Sequence, residues 1–155
     1  MKIIKAKKEH LKELMQLELN LYKKWHPIDD ISKIDKSFFL SKRHEKRVLD
    51  AINSKTKNIF IAVADRKIAG YLKAEIMAWE PFYQKVGYIS QTYVLPKYRK
   101  KKIGRELVKY AISFFRKRKV KWTTVGTHSL DKEANSFWNK QGYKEFNKIL
   151  KRKVK

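Results

Sequence analysis

The 155-residue chain contains no cysteine, which excludes disulfides, thiol nucleophiles and cysteine-ligated zinc or iron–sulfur sites. Long apolar runs are also missing, because the longest covers residues 59–64 and is too short to cross a bilayer. The first residues lack the apolar stretch of a signal peptide. We therefore expect a cytoplasmic protein that makes no membrane contact.

Acidic residues are scarce, with 15 Asp and Glu against 39 Lys and Arg, which gives a formal net charge of +24. Residues 96–155 hold 20 of the basic and only 4 of the acidic residues, so most of the excess lies in that part. Such a field attracts anions and repels polycations. A disordered basic chain is excluded, because 43% of the residues are hydrophobic and 13% aromatic. The length predicts one domain, residues 1–155.

The spacing of apolar residues predicts a mixed α/β (α+β) chain in the order β-α-α-β-β-β-α-β-α-β. The middle strands form hairpins and are antiparallel, whereas the strand–helix–strand unit at 86–127 predicts a parallel pair. The predicted strands are 2–6, 59–64, 68–79, 86–95, 120–127 and 143–154. Four helices are predicted. The first begins near Glu9, the second near Ser37 and the third near Gly104, and the fourth spans 131–141, with Gly142 placed to end it.

The junction between the 86–95 strand and the following helix is strongly basic, since six of the nine residues 97–105 are Lys or Arg. Amide groups at a helix start have no partners within the helix and favour anions. Gly104 in the first turn allows close approach to the backbone. A pyrophosphate site is one interpretation of this loop, and a solvated basic loop or a nucleic-acid patch is the other.

Two stretches resemble cofactor motifs of the GCN5-related N-acetyltransferase (GNAT) superfamily. Its first motif is Gln/Arg-x-x-Gly-x-Gly/Ala, and here Arg99 and Gly104 match the ends while Lys102 replaces the inner glycine. Its second motif is an Asn/Asp-x-x-Ala helix ending in a glycine–aromatic pair, which residues 133–143 resemble. The resemblance covers essentially the whole chain. It implies a GNAT-like fold in which the parallel strands 86–95 and 120–127 splay apart around acetyl-CoA.

The resemblance also implies which residues hold acetyl-CoA as the cosubstrate, with no metal. One backbone group would bond the pantetheine, the basic loop would wrap the pyrophosphate and reach the 3′-phosphate, and the second-motif helix would add a contact. The implied cofactor-binding residues are Val94, Arg99, Lys100, Lys101, Lys102, Ile103, Gly104, Arg105 and Asn135. The amide of Thr92 would donate to the acetyl carbonyl oxygen as an oxyanion hole.

The proton-transfer groups depart from the family's pattern. Trp138 stands where the usual acid is a tyrosine, and Tyr88 stands where several members have a glutamate base. Tyr88 and His128 are the catalytic candidates beside Thr92, and a water relay is an alternative to both. Further carboxylates lie on or after the second middle strand, at Glu75 and Glu80. The competing interpretations are that Tyr88 only packs within the strand and that His128 has no functional role.

The sequence therefore predicts an N-acetyltransferase that moves an acetyl group from acetyl-CoA to a primary amine. The charge favours an amine on a protein or peptide over a polycationic small molecule. Contact with an acidic partner or nucleic acid fits the charge, and the chain is expected to be a monomer or homodimer. Aromatic residues of two loops are candidates to line a substrate groove: Trp25, His26, Trp79, Phe82 and Tyr83. The alternative is a nucleic-acid or ribosome-associated binding protein with the same fold.

Overall fold

A computed structural model describes residues 1–29, 31, 33–79 and 84–154. Glu80, Phe82 and Tyr83 lie outside these residues, as does the side chain of Trp79. Five strands and four helices are described, with short 3₁₀ turns between some of them. In chain order they are β1 (Lys2–Lys5), α1 (Leu11–Trp25), α2 (Lys42–Asn53), β2 (Lys57–Ala64), β3 (Lys67–Trp79), β4 (Gln84–Val94), α3 (Ile103–Lys117), β5 (Trp122–Val125) and α4 (Lys132–Lys140).

The strands form one mixed sheet in the order β1-β2-β3-β4-β5. The first four pair antiparallel, and β4 pairs parallel with β5 across α3. The predicted mixed sheet with a parallel β4–β5 pair is therefore confirmed. Among the described helices, none is both long and apolar enough to cross a membrane.

Helices cover both faces of the sheet, because alternate strand residues point to opposite sides. On one face Phe60 and Leu72 pack with Leu107 and Phe115 of α3. On the other face Ile61 and Tyr71 pack with α1 and α2. The contact between β4 and α3 is close at Gly87, where an added Cβ would lie 2.8 Å from the Phe115 ring.

The second helix begins later than the sequence indicated. Residues Phe38–Leu40 form a 3₁₀ turn, and α2 starts at Lys42 rather than near Ser37. Ser41 causes the change, because its backbone is extended and its hydroxyl accepts a hydrogen bond from the His44 amide at 3.2 Å. A serine in this geometry is a helix N-cap, so the regular helix begins after it.

The predicted last strand is wrong, because residues 143–154 contain no strand. The apolar side chains of this tail are exposed: Phe146, Ile149, Leu150 and Val154. In an extended chain Phe146, Leu150 and Val154 would share one face, but that face has nothing described to cover and the side chains stay exposed. The segment also carries many Lys and Arg side chains, which gain nothing from burial.

Candidate active site

The two parallel strands separate after four paired positions. Pairing runs from Val86 with Trp122 to Ile89 with Val125, where β5 ends. The strand β4 continues to Val94, and its pairing with β3 shifts register beside Ser90. The part of β4 beyond Ile89 therefore has β3 on one side and no described strand on the other. This is the predicted wedge, although β5 is shorter than the predicted 120–127.

Backbone groups of β4 point into this wedge. The Leu95 amide donates to the Ala69 carbonyl at 2.9 Å, so Gly70 and Val94 form a pair without mutual hydrogen bonds. Thr92, two residues earlier, faces Leu72 in the same kind of pair. The N–H and C=O groups of Thr92 and Val94 therefore face away from β3. The Val94 carbonyl accepts a 3.1 Å hydrogen bond from Arg99 Nε, which leaves its amide as the group directed to the open side.

The basic loop before α3 takes an unusual backbone conformation. Lys100 has φ 61° and Lys102 φ 63°, both in the left-handed region. Lys102 is the N-cap residue of α3, so the chain passes through the left-handed region immediately before the helix. The family's inner glycine suits this position because glycine enters the left-handed region without steric cost. Turns of this kind turn successive amides toward one point and form anion sites.

The wedge and the loop border one cleft of about 530 Å³. Thr92, Val94, Arg99 and Gly104 line it, together with His128. Lysine and arginine outnumber carboxylates in its wall, which holds Lys24, Arg99, Lys100, Lys102, Arg105 and Lys140 against Asp131 and Glu133. The cleft is thus suited to a polyanionic ligand.

Three of the predicted site residues do not line this cleft: Tyr88, Lys101 and Asn135. The Lys101 ammonium lies 5.5 Å from the centre of the Tyr98 ring. The Tyr88 hydroxyl lies 3.5 Å from where a Cβ on Gly126 would stand, and because Gly126 lines the cleft this tyrosine stands behind the cleft wall. The second-motif asparagine instead holds the loop after β5, as its hydrogen bonds show.

Asn135 fixes the loop that carries His128. Its Nδ2 donates to the carbonyls of His128 and Ser129 at 3.0 and 3.1 Å, and its Oδ1 accepts from the Thr127 hydroxyl. The exposed His128 ring accepts a 3.1 Å hydrogen bond from the Leu130 amide at Nδ1. The neutral ring therefore carries its proton on Nε2 and is a donor there.

An ion-pair network joins α1, the basic loop and α4 at the cleft. Glu133 lies 2.8 Å from Lys24 Nζ and 3.4 Å from Arg99 Nη1. The Lys24 hydrogen bond, with the positive charges of Lys24 and Arg99, lowers the pKa of Glu133. The buried Asp131 caps α4 by accepting from the Ala134 amide at 3.0 Å and lies 3.6 Å from Lys24.

Trp138 is buried, and its ring contacts those of Phe137 and Tyr143. An indole can only donate a hydrogen bond, so this side chain packs the helix and supplies no acid. Gly142 after α4 has φ 86°, as a glycine that ends a helix requires.

The residues present fit coenzyme A. The buried Thr92 hydroxyl has no hydrogen-bond partner among the described residues, and the amides of Thr92 and Val94 face the open wedge. These groups suit the amides of pantetheine, and the basic left-handed loop suits its phosphates. No group of three or more metal-binding side chains comes together in the described parts of the chain.

Comparison with known proteins agrees with this geometry. A sequence model of the Acetyltransferase (GNAT) family matches residues 25–143. The chain belongs to the GNAT acetyltransferase family. The predicted family, mixed fold and acetyltransferase class are thereby confirmed. No significant match was found among curated proteins.

Several solved structures resemble the chain over nearly its full length. A tetramutant of the BH1408 protein from Bacillus halodurans has a TM-score of 0.86 at 19% identity, covering 99% of this chain and 100% of that one. AAC(6')-Iy, solved with a CoA bisubstrate analog of acetylneamine, has 0.76 at 16% identity over 99% and 97%. The aminoglycoside acetyltransferase meta-AAC0020 from an uncultured soil metagenomic sample has 0.71 at 18% over 99% and 96%. At these identities the likeness establishes the fold alone.

Sequence reasoning missed the charged residues of α1 in this GNAT chain. Lys24 closes the network at the cleft, and the buried Glu18 lies 2.6 Å from Lys73 Nζ. A signal for Glu18 existed, because it stands four residues after Leu14 and three before Leu21 on the apolar stripe of the helix. A carboxylate within a buried face needs a charged partner, and the strands held the candidates.

Proposed function

We propose that this GNAT protein transfers the acetyl group of acetyl-CoA to a primary amine, on a protein or peptide rather than on a polycation. The observation that carries the proposal is one cleft that joins the open amides of β4 to the basic left-handed loop before α3. Acetyl-CoA fits both ends of this cleft, because it carries a thioester at one end and phosphate groups at the other. The acyl carbon of a thioester is activated for attack by an amine.

The residues of β4 stabilise the reacting carbonyl in this proposal. The Thr92 amide faces the wedge and donates to the acetyl oxygen, where negative charge grows in the transition state. The Val94 amide positions the pantetheine, and the backbone of residues 99–104 binds the pyrophosphate. The acceptor nitrogen gains the acyl carbon, the carbon–sulfur bond breaks, and one amine proton leaves to water or a base.

His128 is proposed as a hydrogen-bond donor to the leaving sulfur. Its Nδ1 is occupied by the Leu130 amide, so only Nε2 presents a proton at the cleft. A donor there stabilises the thiolate as it forms. Tyr88 lies outside the cleft lining, so a water relay replaces it as the path by which the amine loses its proton.

Free-thiol release from acetyl-CoA tests the proposal against a panel of peptides, small amines and an aminoglycoside. Acetyl-CoA binding is measured separately by calorimetry at low salt. We expect binding with an affinity that falls as salt rises, and faster turnover of peptide amines than of the aminoglycoside. Absence of acetyl-CoA binding at low salt contradicts the proposal.

Nucleic-acid binding is the second candidate, favoured by the distribution of charge. Residues 96–155 carry 20 Lys or Arg and 4 Asp or Glu. Exposed members of this set continue away from the cleft along the end of α3, at Arg116, Lys117 and Lys119. RNA affinity that falls steeply with salt, without any thiol release, would favour this function.

A further inference from the structure

A second cavity adjoins the cleft at the β4 register shift. It has a volume of about 270 Å³ and lies among α1, α2, β2, β3 and β4. Ser90 and Gln91 line both this cavity and the cofactor cleft. A molecule bound in the cavity therefore lies against the same stretch of β4 that borders the cleft, next to Thr92.

The carboxylates of this cavity are already paired. Glu18 lies 2.6 Å from Lys73, and Glu75 lies 3.0 Å from Lys57. His44 lies 3.5 Å from Glu18, and burial lowers its pKa. Neither acid is left unpaired for a second ammonium group. An oligocationic acceptor would have to displace a lysine of the protein for each charge that it places here.

Arg47 is the charged side chain of the cavity without a carboxylate partner among the described residues. Its guanidinium lies 5.8 Å from the centre of the Phe38 ring, at the α2 side of the cavity. The wall therefore carries a net positive charge from Arg47. A guanidinium binds a carboxylate through two parallel hydrogen bonds.

A buried acceptor of the same cavity lacks a donor. The Oδ1 atom of Asn58 receives no hydrogen bond from the described residues, and Asn58 is only 8% exposed. Such an atom is costly unless a donor reaches it. An amine or amide N–H of a bound molecule supplies that donor.

We infer that this cavity binds the acetyl acceptor and that the acceptor carries a carboxylate next to its amine, with the carboxylate on Arg47. The inference rests on the proposed acetyltransferase function. Two sources have this chemistry, a free amino acid with its α-carboxylate and a peptide whose first residue is acidic. Both place an amine and a carboxylate within the reach of one residue, which suits the volume of the cavity.

The test compares acceptors that differ in one charge, using the full chain. The acceptors are an Asp-led and an Asn-led tripeptide amide, free aspartate, and sisomicin, each assayed by thiol release. We expect kcat/KM to favour the Asp-led peptide over the Asn-led one by about tenfold, as one charged hydrogen bond provides. Free aspartate against the Asp-led peptide distinguishes the two sources.

Arg47→Gln should remove that preference and leave the KM for acetyl-CoA unchanged. Arg43→Gln is the matched control, because Arg43 is an exposed arginine of the same helix that does not line the cavity. A preference that survives Arg47→Gln, or faster turnover of sisomicin than of either peptide, overturns the inference while the acetyltransferase function stands.

Equilibrium binding decides the matter if no acceptor is turned over. The Asp-led and Asn-led peptides are then titrated into the protein by calorimetry, with and without Arg47→Gln. Tighter binding of the Asp-led peptide that depends on Arg47 supports the cavity. Equal affinity overturns the inference, whereas a failure of acetyl-CoA itself to bind contradicts the proposed function.

Discussion

At the scale of single residues, Lys102 combines a demanding backbone with a useful charge. Its φ of 63° lies in the left-handed region, which costs a residue with a Cβ roughly 1–2 kcal/mol. The family's glycine avoids that cost but brings no ammonium to the phosphates. Lys102 adopts the same left-handed turn at the cost of this strain and adds a positive charge. The loop geometry therefore does not depend on a glycine.

Lys102→Gly should raise the free energy of unfolding by about 1 kcal/mol, because the left-handed turn is then unstrained. Urea denaturation measures the change. Lys101→Gly is the control, since Lys101 is a neighbouring exposed lysine without a positive φ, and there glycine should destabilise. Equal shifts for the two variants would contradict this account of the loop.

His128→Asn removes the Nε2 donor but keeps a short polar side chain in the loop. We expect kcat to fall by about 10²-fold, as the loss of a positioned proton donor produces, with the KM for acetyl-CoA unchanged. Tyr88→Phe is the comparison, and because Tyr88 does not line the cleft it should retain kcat. Loss of activity in Tyr88→Phe alone would transfer the role to the tyrosine.

At the scale of elements, α3 packs closely against the paired part of β4 at Gly87. Gly87→Ala places a Cβ 2.8 Å from Phe115 ring atoms, so strand and helix must move apart. The cost should be about 1–3 kcal/mol of stability, seen as a lower urea midpoint. Gly126→Ala is the control, because its Cβ would meet only the Tyr88 hydroxyl at 3.5 Å. Equal midpoints for the two variants would show that this contact does not set the strand–helix distance.

Glu133 links α1, the basic loop and α4, and its lowered pKa makes the link sensitive to pH. A depressed carboxyl pKa stabilises the fold above the unfolded value and loses that effect as pH falls through the folded pKa. Glu133→Gln should therefore lower stability at neutral pH, by under about 1 kcal/mol because the side chain is largely exposed. The difference from the parent should vanish well below pH 4.5, the ordinary value of this carboxyl.

Chemical denaturation at several pH values measures that difference. Glu145→Gln is the matched control, because its 3.2 Å ion pair with Lys148 stays within the exposed tail and joins no two elements. A stability difference for Glu133→Gln that is the same at neutral and acid pH would argue against the ion-pair network.

The sequence predicted most elements because their signals are local. The apolar runs of β2 and β3, and the apolar stripes of α1 and α3, arise from residues close in the chain. The predicted final strand failed because β-forming side chains need an adjoining edge and a face to cover, which no local pattern reveals. The Glu18–Lys73 pair likewise joins α1 to β3, and the second cavity exists only where α1 and α2 cover the sheet.

The site shows the same division. Arg99 and Gly104 lie at the cleft, as the motif resemblance implied. Asn135 does not line the cleft, and its Nδ2 instead donates to the carbonyls of His128 and Ser129. A motif gives the position of a residue but not which of its hydrogen bonds the fold has occupied, so its role in holding the loop required the structure.

At the scale of the whole molecule, the positive charge is distributed over the cleft and over surfaces outside it. The cleft wall accounts for six of the 39 Lys and Arg residues, so most of the excess lies elsewhere. Residues 144–155 contain six Lys or Arg and one Glu, and the described part of this segment is exposed. A charged tail outside the core adds to long-range attraction of anions without shaping the cleft.

Deletion of residues 145–155 should therefore separate the two uses of charge. Ile149 is 97% exposed and Leu150 89%, so their removal costs little buried area and the thermal midpoint should hold. Acetyl-CoA affinity at high salt, where long-range attraction is screened, should also hold, because the cleft and Tyr143 are retained. If the tail contacts RNA, the slope of log affinity against log salt should become shallower by about 0.7 for each lost single-strand phosphate contact.

A full-length variant with glutamine at the five basic positions of 145–155 is the matched control, and it should reproduce the RNA effect. A fall in the thermal midpoint of the deletion, but not of the glutamine variant, would instead assign the tail a structural role.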